Sequence, residues 1–166
     1  MIDNELLKDF IYSSFPSKRF LYNKDGFIFC QVKTLPKLMA FLRDDKRLFL
    51  SLLDIIVMEN EKNYEIGYLL KNFEQNNEII IKIEAQKIVP SLVNIFPNAL
   101  KLEAEVYDMH GIIFEEHPDL RRVITDTRYF GGHPLNKAFN IKGIITSFYN
   151  EKTKQIDYME LKENDN

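Results

Sequence analysis

The chain has 166 residues, 45% of them hydrophobic and 28% charged, with a formal net charge of −3 and a single cysteine. A chain of this size buries roughly 68–70% of the surface its unfolded form exposes, so one domain with a core of its own is expected. The single cysteine excludes a disulfide framework and a cysteine-held zinc or iron–sulfur centre within the chain, and the acidic balance offers no basic stripe for nucleic acid.

The N-terminal "MIDNELLKDF" is acidic and amphipathic, unlike a secretory signal or a transit peptide. No apolar run approaches the ~18 residues that suggest a membrane span. Asp3 or Asn4 is placed to cap a first helix with Leu6, Leu7, Phe10 and Ile11 on one face, ended by Pro16. Arg19–Tyr22 and Phe27–Lys33 read as short strands joined at "NKDG", where Asp-Gly signals a hairpin. Cys30, inside "FIFCQV", reads as a buried, inert thiol. Thr34 then precedes "LPKLMAFLRD", a second short helix with Leu35, Leu38, Phe41 and Leu42 inward, and the apolar run Leu48–Val57 reads best as a strand, its length leaving a helix as the alternative because periodicity alone does not arbitrate. In "YEIGYLL", Tyr64, Ile66, Tyr68 and Leu70 share one face, as do Ile79, Ile81 and Ile83 in "IIIKI" across a polar turn. The succession suggests an antiparallel meander packed on helices.

Beyond Pro97, Asn98 is positioned to cap a helix with Leu102, Val106 and Met109 as its core stripe, and Gly111 ends it. From Ile112 to Asn140 the chain has little periodicity and much Pro, Gly and charge, and "IITSFYNEKTKQIDYMEL" reads as a closing hairpin before the polar tail "KENDN". The expected fold class is therefore α+β: a mixed or largely antiparallel sheet packed on helices, with an extended irregular C-terminal segment. Residues 1–96 form the N-terminal core in this reading; residues 97–166 carry the helix, a docking segment and a hairpin of the same domain.

The charges of the last third invite a structural explanation. Asp108, in the final turn of its helix, opposes the macrodipole and calls for a cation, which Arg121, Arg122 or Arg128 would supply through bidentate pairing. The segment after Gly111 is thus expected to fold back and be pinned by arginine–carboxylate pairs. The competing reading is solvated surface charge worth little. His110, His117 and His133, interspersed with Asp108, Asp119 and Asp126, raise a metal-dependent enzyme built on His117, His133 and an aspartate as an alternative. The histidine spacing fits neither a helical nor a strand pattern, and His117 and His133 each precede a proline, which favours extended backbone. There is no G-x-S-x-G elbow and no phosphate-loop fingerprint around Gly131–Gly132. No catalytic or metal residue is assigned.

The stretch "LEAEVYDMHGIIFEEHPDLRRVITDTRYFGGHPLNKAFNIKG" resembles the signature region of the thirty-kilodalton subunit of respiratory complex I, known as the C subunit in the bacterial NADH dehydrogenase and as subunit 9 in mitochondrial gene sets. The match runs through Glu103, Glu105, Tyr107, Asp108, Met109, Gly111 and Ile112; through His117, Pro118, Asp119, Leu120, Arg121 and Arg122 with Thr125 and Asp126; and through Gly132, His133, Pro134, Leu135, Lys137 and Phe139. Ala104, His110, Asn136, Ala138 and Asn140 depart from the family pattern, at positions of an arginine, an aromatic, an arginine, an aspartate and a proline. The resemblance implies a non-catalytic hetero-oligomeric subunit without a cofactor of its own, in the water-exposed arm of NADH:ubiquinone oxidoreductase. It would pack against the forty-nine-kilodalton subunit and neighbouring iron–sulfur subunits, peripheral to the mitochondrial inner membrane on its matrix side or to the cytoplasmic face of a bacterial one. Related membrane-bound hydrogenases and dehydrogenases use similar subunits. The residues that the resemblance marks as structural or partner-facing are Glu103, Glu105, Tyr107, Asp108, His117, Pro118, Asp119, Arg121, Arg122, Asp126, Gly132, His133, Pro134 and Lys137.

Overall fold

The computed structural model describes residues 13, 21–22, 27–45, 50–74, 76–128, 131–139 and 145–160. The expected first helix, apart from Ser13, which is helical, the "NKDG" turn and the terminal "KENDN" lie outside these residues. The framework is set by alternation. Strands β3 (Ser51–Glu59), β4 (Tyr64–Asn72) and β5 (Asn77–Ala85) are each nine residues long and pair antiparallel in sequence order. Tyr64, Ile66, Tyr68, Leu70, Ile79, Ile81 and Ile83 are all buried, because a period of two sends every second side chain to the same face. Between β4 and β5 the turn uses Asn76 at φ 54°, a conformation asparagine tolerates better than most residues.

The meander supplies three of the five strands of the sheet. Short strands β1 (Leu21–Tyr22) and β2 (Phe27–Phe29) pair antiparallel, and β2 joins β5 in parallel, giving the order β1-β2-β5-β4-β3. The sheet is therefore mixed. β2 is shorter than the expected Phe27–Lys33 strand, because Val32–Thr34 forms a 3-10 turn leading into helix α1 (Leu35–Asp44). That helix opens with Pro36 in its first turn, where a missing N–H is harmless, and buries Leu35, Leu38, Met39 and Leu42. Phe41, expected inward with them, is partly buried and packs on the same core.

Helix α2 (Ala99–His110) completes the apolar layer with Ala99 and Val106. Gly111 ends it at φ 74°, the left-handed conformation that glycine adopts without penalty, and its N–H donates to the Tyr107 carbonyl. Asn98 does not cap α2 as expected. Its backbone is already helical, and its side-chain Nδ2 donates instead to the Leu52 carbonyl at 2.7 Å, tying the start of α2 to β3. The expected stripe also shifts: Val106 is buried, Leu102 and Met109 are half-buried, and the inward positions include Glu103 and Asp108. Periodicity did not reveal strands β6 (Ile88–Pro90) and β7 (Ile113–Glu115), which pair in parallel across α2. The last described residues form a separate two-stranded antiparallel sheet, β8 (Ile145–Asn150) and β9 (Gln155–Glu160).

Candidate functional site: a clasp between helix α2 and the segment that follows it

Two carboxylates organise the last third of the described chain, and both are fully buried. Glu103 faces the segment after β6: its Oε1 accepts the Leu92 N–H at 2.6 Å and its Oε2 accepts the Ser91 hydroxyl at 2.7 Å. Burial pushes its pKa up, against the opposing effects of these hydrogen bonds and of His117. Asp108, a turn and a half further along α2, faces residues 123–125. Its Oδ2 accepts three successive backbone N–H groups, from Val123 at 3.0 Å, Ile124 at 2.7 Å and Thr125 at 2.8 Å. The Thr125 hydroxyl donates to its Oδ1. Burial alone would raise this carboxyl's pKa; the hydrogen bonds from Thr125, Ile124 and Val123 outweigh it and hold the pKa below the ordinary aspartate value.

The segment thus folds back onto α2 as expected, but the grip differs from the expected one. Backbone N–H groups take the role foreseen for a guanidinium. They carry partial positive charge and, once buried, need an acceptor, so a turn of three consecutive N–H groups binds a carboxylate without an arginine. Arg121 pairs with Asp119 at 3.0 Å and Arg128 with Asp126 at 3.0 Å, both within the segment and largely exposed. Such pairs contribute little to stability. Arg122 is half-buried and donates to the Thr125 hydroxyl at 3.1 Å, bracing the turn that Asp108 holds.

Further ties close the clasp at the same end of α2. His133 Nδ1 donates to the Asp108 carbonyl at 2.9 Å, the Leu135 N–H donates to the Met109 carbonyl at 3.0 Å, and the His133 ring meets Tyr107 edge-on at 5.8 Å between centroids. The ring lies over Gly111, where a Cβ would come within 2.6 Å of His133 Cδ2. Glycine is therefore required there twice, by backbone conformation and by space. Pro134 is half-buried beside His133, and Gly132 approaches the Phe139 ring closely enough that a Cβ would sit 3.0 Å from it. The Lys137 N–H donates to Glu59 at 2.7 Å, fastening the segment to the end of β3.

At the other end of α2, His117 Nε2 bonds the Leu100 carbonyl at 3.1 Å while its Nδ1 accepts the Asp119 N–H at 3.1 Å, an arrangement that fits the Nε2–H tautomer. Leu100 and Asp108 are eight residues apart on the helix, about 12 Å at its normal rise. His117 and His133 are therefore held at opposite ends of α2 and do not share a ligand. Among the described residues no group of three or more His, Cys, Asp or Glu side chains is placed to hold a metal ion. His110, where the resemblance anticipates an aromatic, behaves as one: its Nδ1 is buried without a hydrogen-bond partner among the described residues, and burial lowers its pKa.

Of the residues singled out in the sequence, Glu103 and Asp108 lie wholly inside the chain and present no surface to a partner. Tyr107, His117, Arg122, Asp126, Gly132, His133 and Pro134 are half-buried, and Glu105, Pro118, Asp119, Arg121 and Lys137 are exposed. The exposed apolar side chains of Val123, Ile124 and Leu135 were not singled out as interface residues. Their N–H groups point into the clasp, so their side chains are presented on its outside. Aperiodic backbone gives no sequence signal for that orientation.

Comparison with known proteins places this geometry in context. The profile of the family described as "Respiratory-chain NADH dehydrogenase, 30 Kd subunit" matches residues 28–144. The C subunit of the NADH-quinone oxidoreductase of Mesorhizobium japonicum is 37% identical over 139 residues, covering 79% of this chain and 69% of that protein. The Brucella ovis protein of the same name is 41% identical over 133 residues, covering 76% and 65%. The chain thus spans about two thirds of the length of these relatives. A chain from the solved membrane-bound sulfane sulfur reductase, an archaeal respiratory membrane complex, superposes with a TM-score of 0.68 over 82% of this chain and 85% of that one. At 19% identity this is a likeness of fold.

Proposed function

The chain belongs to the thirty-kilodalton subunit family of the respiratory-chain NADH dehydrogenase, and from that membership we propose that it is a non-catalytic structural and assembly subunit of NADH:ubiquinone oxidoreductase. In this reading it sits in the peripheral arm of complex I and supports the quinone-reducing module while electrons pass from NADH to quinone. It carries no cofactor of its own. It packs against the forty-nine-kilodalton subunit and neighbouring iron–sulfur subunits, peripheral to a bacterial inner membrane on its cytoplasmic face or to the mitochondrial inner membrane on its matrix side. No helix among the described residues is long and apolar enough to cross a membrane.

The observation that carries the reading is the clasp itself. Asp108 holds residues 123–125 and His133 and Leu135 bond the end of α2, while Val123, Ile124, Leu135 and Arg121 face outward. A segment ordered before it meets its partner loses little conformational entropy on docking, which is what an assembly surface requires. His117, His133 and Asp108 are each engaged in holding backbone and Asp119 and Asp126 pair with arginines of the segment, which supports the structural role over a stand-alone metal enzyme. A related membrane-bound hydrogenase or dehydrogenase is the second reading, favoured only by the shared fold of the archaeal complex. The identities of 37–41% with NADH-quinone oxidoreductase subunits favour the first.

Native-gel purification of the tagged full chain from its own cells tests the proposal. The expected result is co-migration with an assembly that oxidises NADH with a quinone acceptor. Isolation as a free monomer, or with stoichiometric bound metal, would overturn it. Co-purification with hydrogenase-type electron-input subunits would move the assignment to the second reading.

A further inference from the structure

Between the sheet and helix α2 lies a polar cluster that the clasp does not use. Tyr68 stands in the middle of β4 with its ring turned inward. Its partner in register on β5 is Ile81, and the next in that row is Ile28 on β2. Cys30, two residues beyond Ile28, shares the same inward face and is buried. From the opposite layer Glu103 enters between Ala99 and Val106, its neighbours one turn away on α2, and both of these belong to the same core as Tyr68. Tyr68 and Glu103 are each 0% exposed. The Tyr68 hydroxyl is buried and has no hydrogen-bond partner among the described residues. Burial pushes its pKa well above the ordinary value, and the charges of Glu103 and then Cys30 raise it further.

A hydroxyl buried without a partner is costly, and native cores supply one. Glu103 has the capacity to serve. Its Oε1 accepts only the Leu92 N–H and its Oε2 only the Ser91 hydroxyl, so each oxygen keeps a lone pair. Ser91 is committed at both ends, because its Oγ accepts the Val93 N–H at 3.2 Å while its proton goes to Glu103. His117, the other titratable group in the field of Glu103, is held by the Leu100 carbonyl and the Asp119 N–H. The carboxylate of Asp108 is taken up by residues 123–125. Tyr68 and Glu103 thus feel each other's charge without touching. One water spans such a gap, accepting from the phenol and donating to the carboxylate, with the Cys30 thiol as a weak third contact. A hard cation fits poorly, since it takes six or more oxygens and the remaining walls are the apolar side chains of Ile81, Leu92, Ala99 and Val106.

We propose that the space between Tyr68 and Glu103 is a binding site for a single internal water molecule, which accepts the Tyr68 hydroxyl, donates to the Glu103 carboxylate and so ties β4 to α2. The site lies in the core and is independent of the assembly role. It fixes, from the sheet side, the helix to which Asp108 fastens the clasp.

Oxygen-17 relaxation dispersion of the purified full chain counts its long-lived internal waters. The expected result is one fewer in Tyr68→Phe than in the wild type. Tyr158→Phe, which removes a hydroxyl from a side chain 74% exposed, leaves the count unchanged. Urea unfolding supplies an independent sign. Deleting an unpartnered buried hydroxyl leaves a core as stable as before or more so, whereas deleting a bridged one strips the water of a partner. The unfolding constant of Tyr68→Phe therefore rises about 5- to 30-fold. Equal water counts, or an unchanged or higher urea midpoint in Tyr68→Phe, overturn the proposal. A crystal structure of the wild-type chain reads the site even where the variant fails to fold. A water within hydrogen-bond distance of both Tyr68 Oη and the Glu103 carboxylate supports the proposal; a direct Tyr68–Glu103 hydrogen bond, a metal ion or an empty gap overturns it.

Discussion

Replacing Asp108 with alanine tests the clasp most directly. The carboxylate accepts three N–H groups and one hydroxyl, and hydrogen bonds to a charged acceptor contribute about 1.5–3 kcal/mol each. These contributions are not additive. Val123 and Ile124 are exposed, so their N–H groups regain water once the segment lifts from α2, and the loss is capped by the free energy of that local opening. A loss of about 3–5 kcal/mol follows, comparable to breaking other buried charged networks. Hydrogen exchange of the amides of residues 123–125 measures it: protection falls by about 100- to 4,000-fold, while the amides of β4 and β5 keep theirs. Asp108→Asn falls between the two, since an amide oxygen accepts the same bonds without charge. Acid has the same effect as the mutation. The folded-state pKa is depressed, so the stabilisation is fully present above the ordinary value of 3.8 and disappears as pH falls through the lower folded value. Unchanged protection at 123–125 in the alanine variant would refute the reasoning, and so would an equal loss of protection across β4 and β5.

Three further outcomes follow from the same geometry. Glu103 has the opposite sign: burial raises its pKa, so the folded state binds the proton more tightly and stability declines as pH rises from 4.5 through the folded value. Glu103→Gln flattens that slope in thermal melts across pH 4.5–7. Gly111→Ala places a Cβ against the His133 ring at φ 74°, costing about 1–2 kcal/mol in backbone conformation alone and more through displacement of the ring; urea unfolding measures it. Arg121 and Arg122 separate by role: Arg122→Ala raises exchange at residues 123–125 by loosening the Thr125 turn, whereas Arg121→Ala leaves that exchange unchanged and weakens incorporation on native gels more than Lys37→Ala does.

Several parts of this architecture were legible from residue order alone. Alternation in β4 and β5, the stop at Gly111, the C-terminal hairpin and the family signature from Glu103 to Phe139 are all local patterns, and short-range sterics read them directly. The fold-back after α2 was legible too, because a proline- and charge-rich segment beside a helix-end carboxylate must satisfy that carboxylate somewhere. Its partner was not. A carboxylate accepts equally well from a guanidinium or from N–H groups, and only the path of the chain brings the amides 15–17 residues away into range of Asp108. The same reason explains Asn98, which bonds Leu52 across 46 residues instead of capping its own helix. It explains the parallel pairings of β2 with β5 and of β6 with β7, and the burial of Glu103 against Ser91 and Leu92. Periodicity assigns a residue to a face; which polar group meets it there depends on distances between segments, and those exist only once the chain has folded.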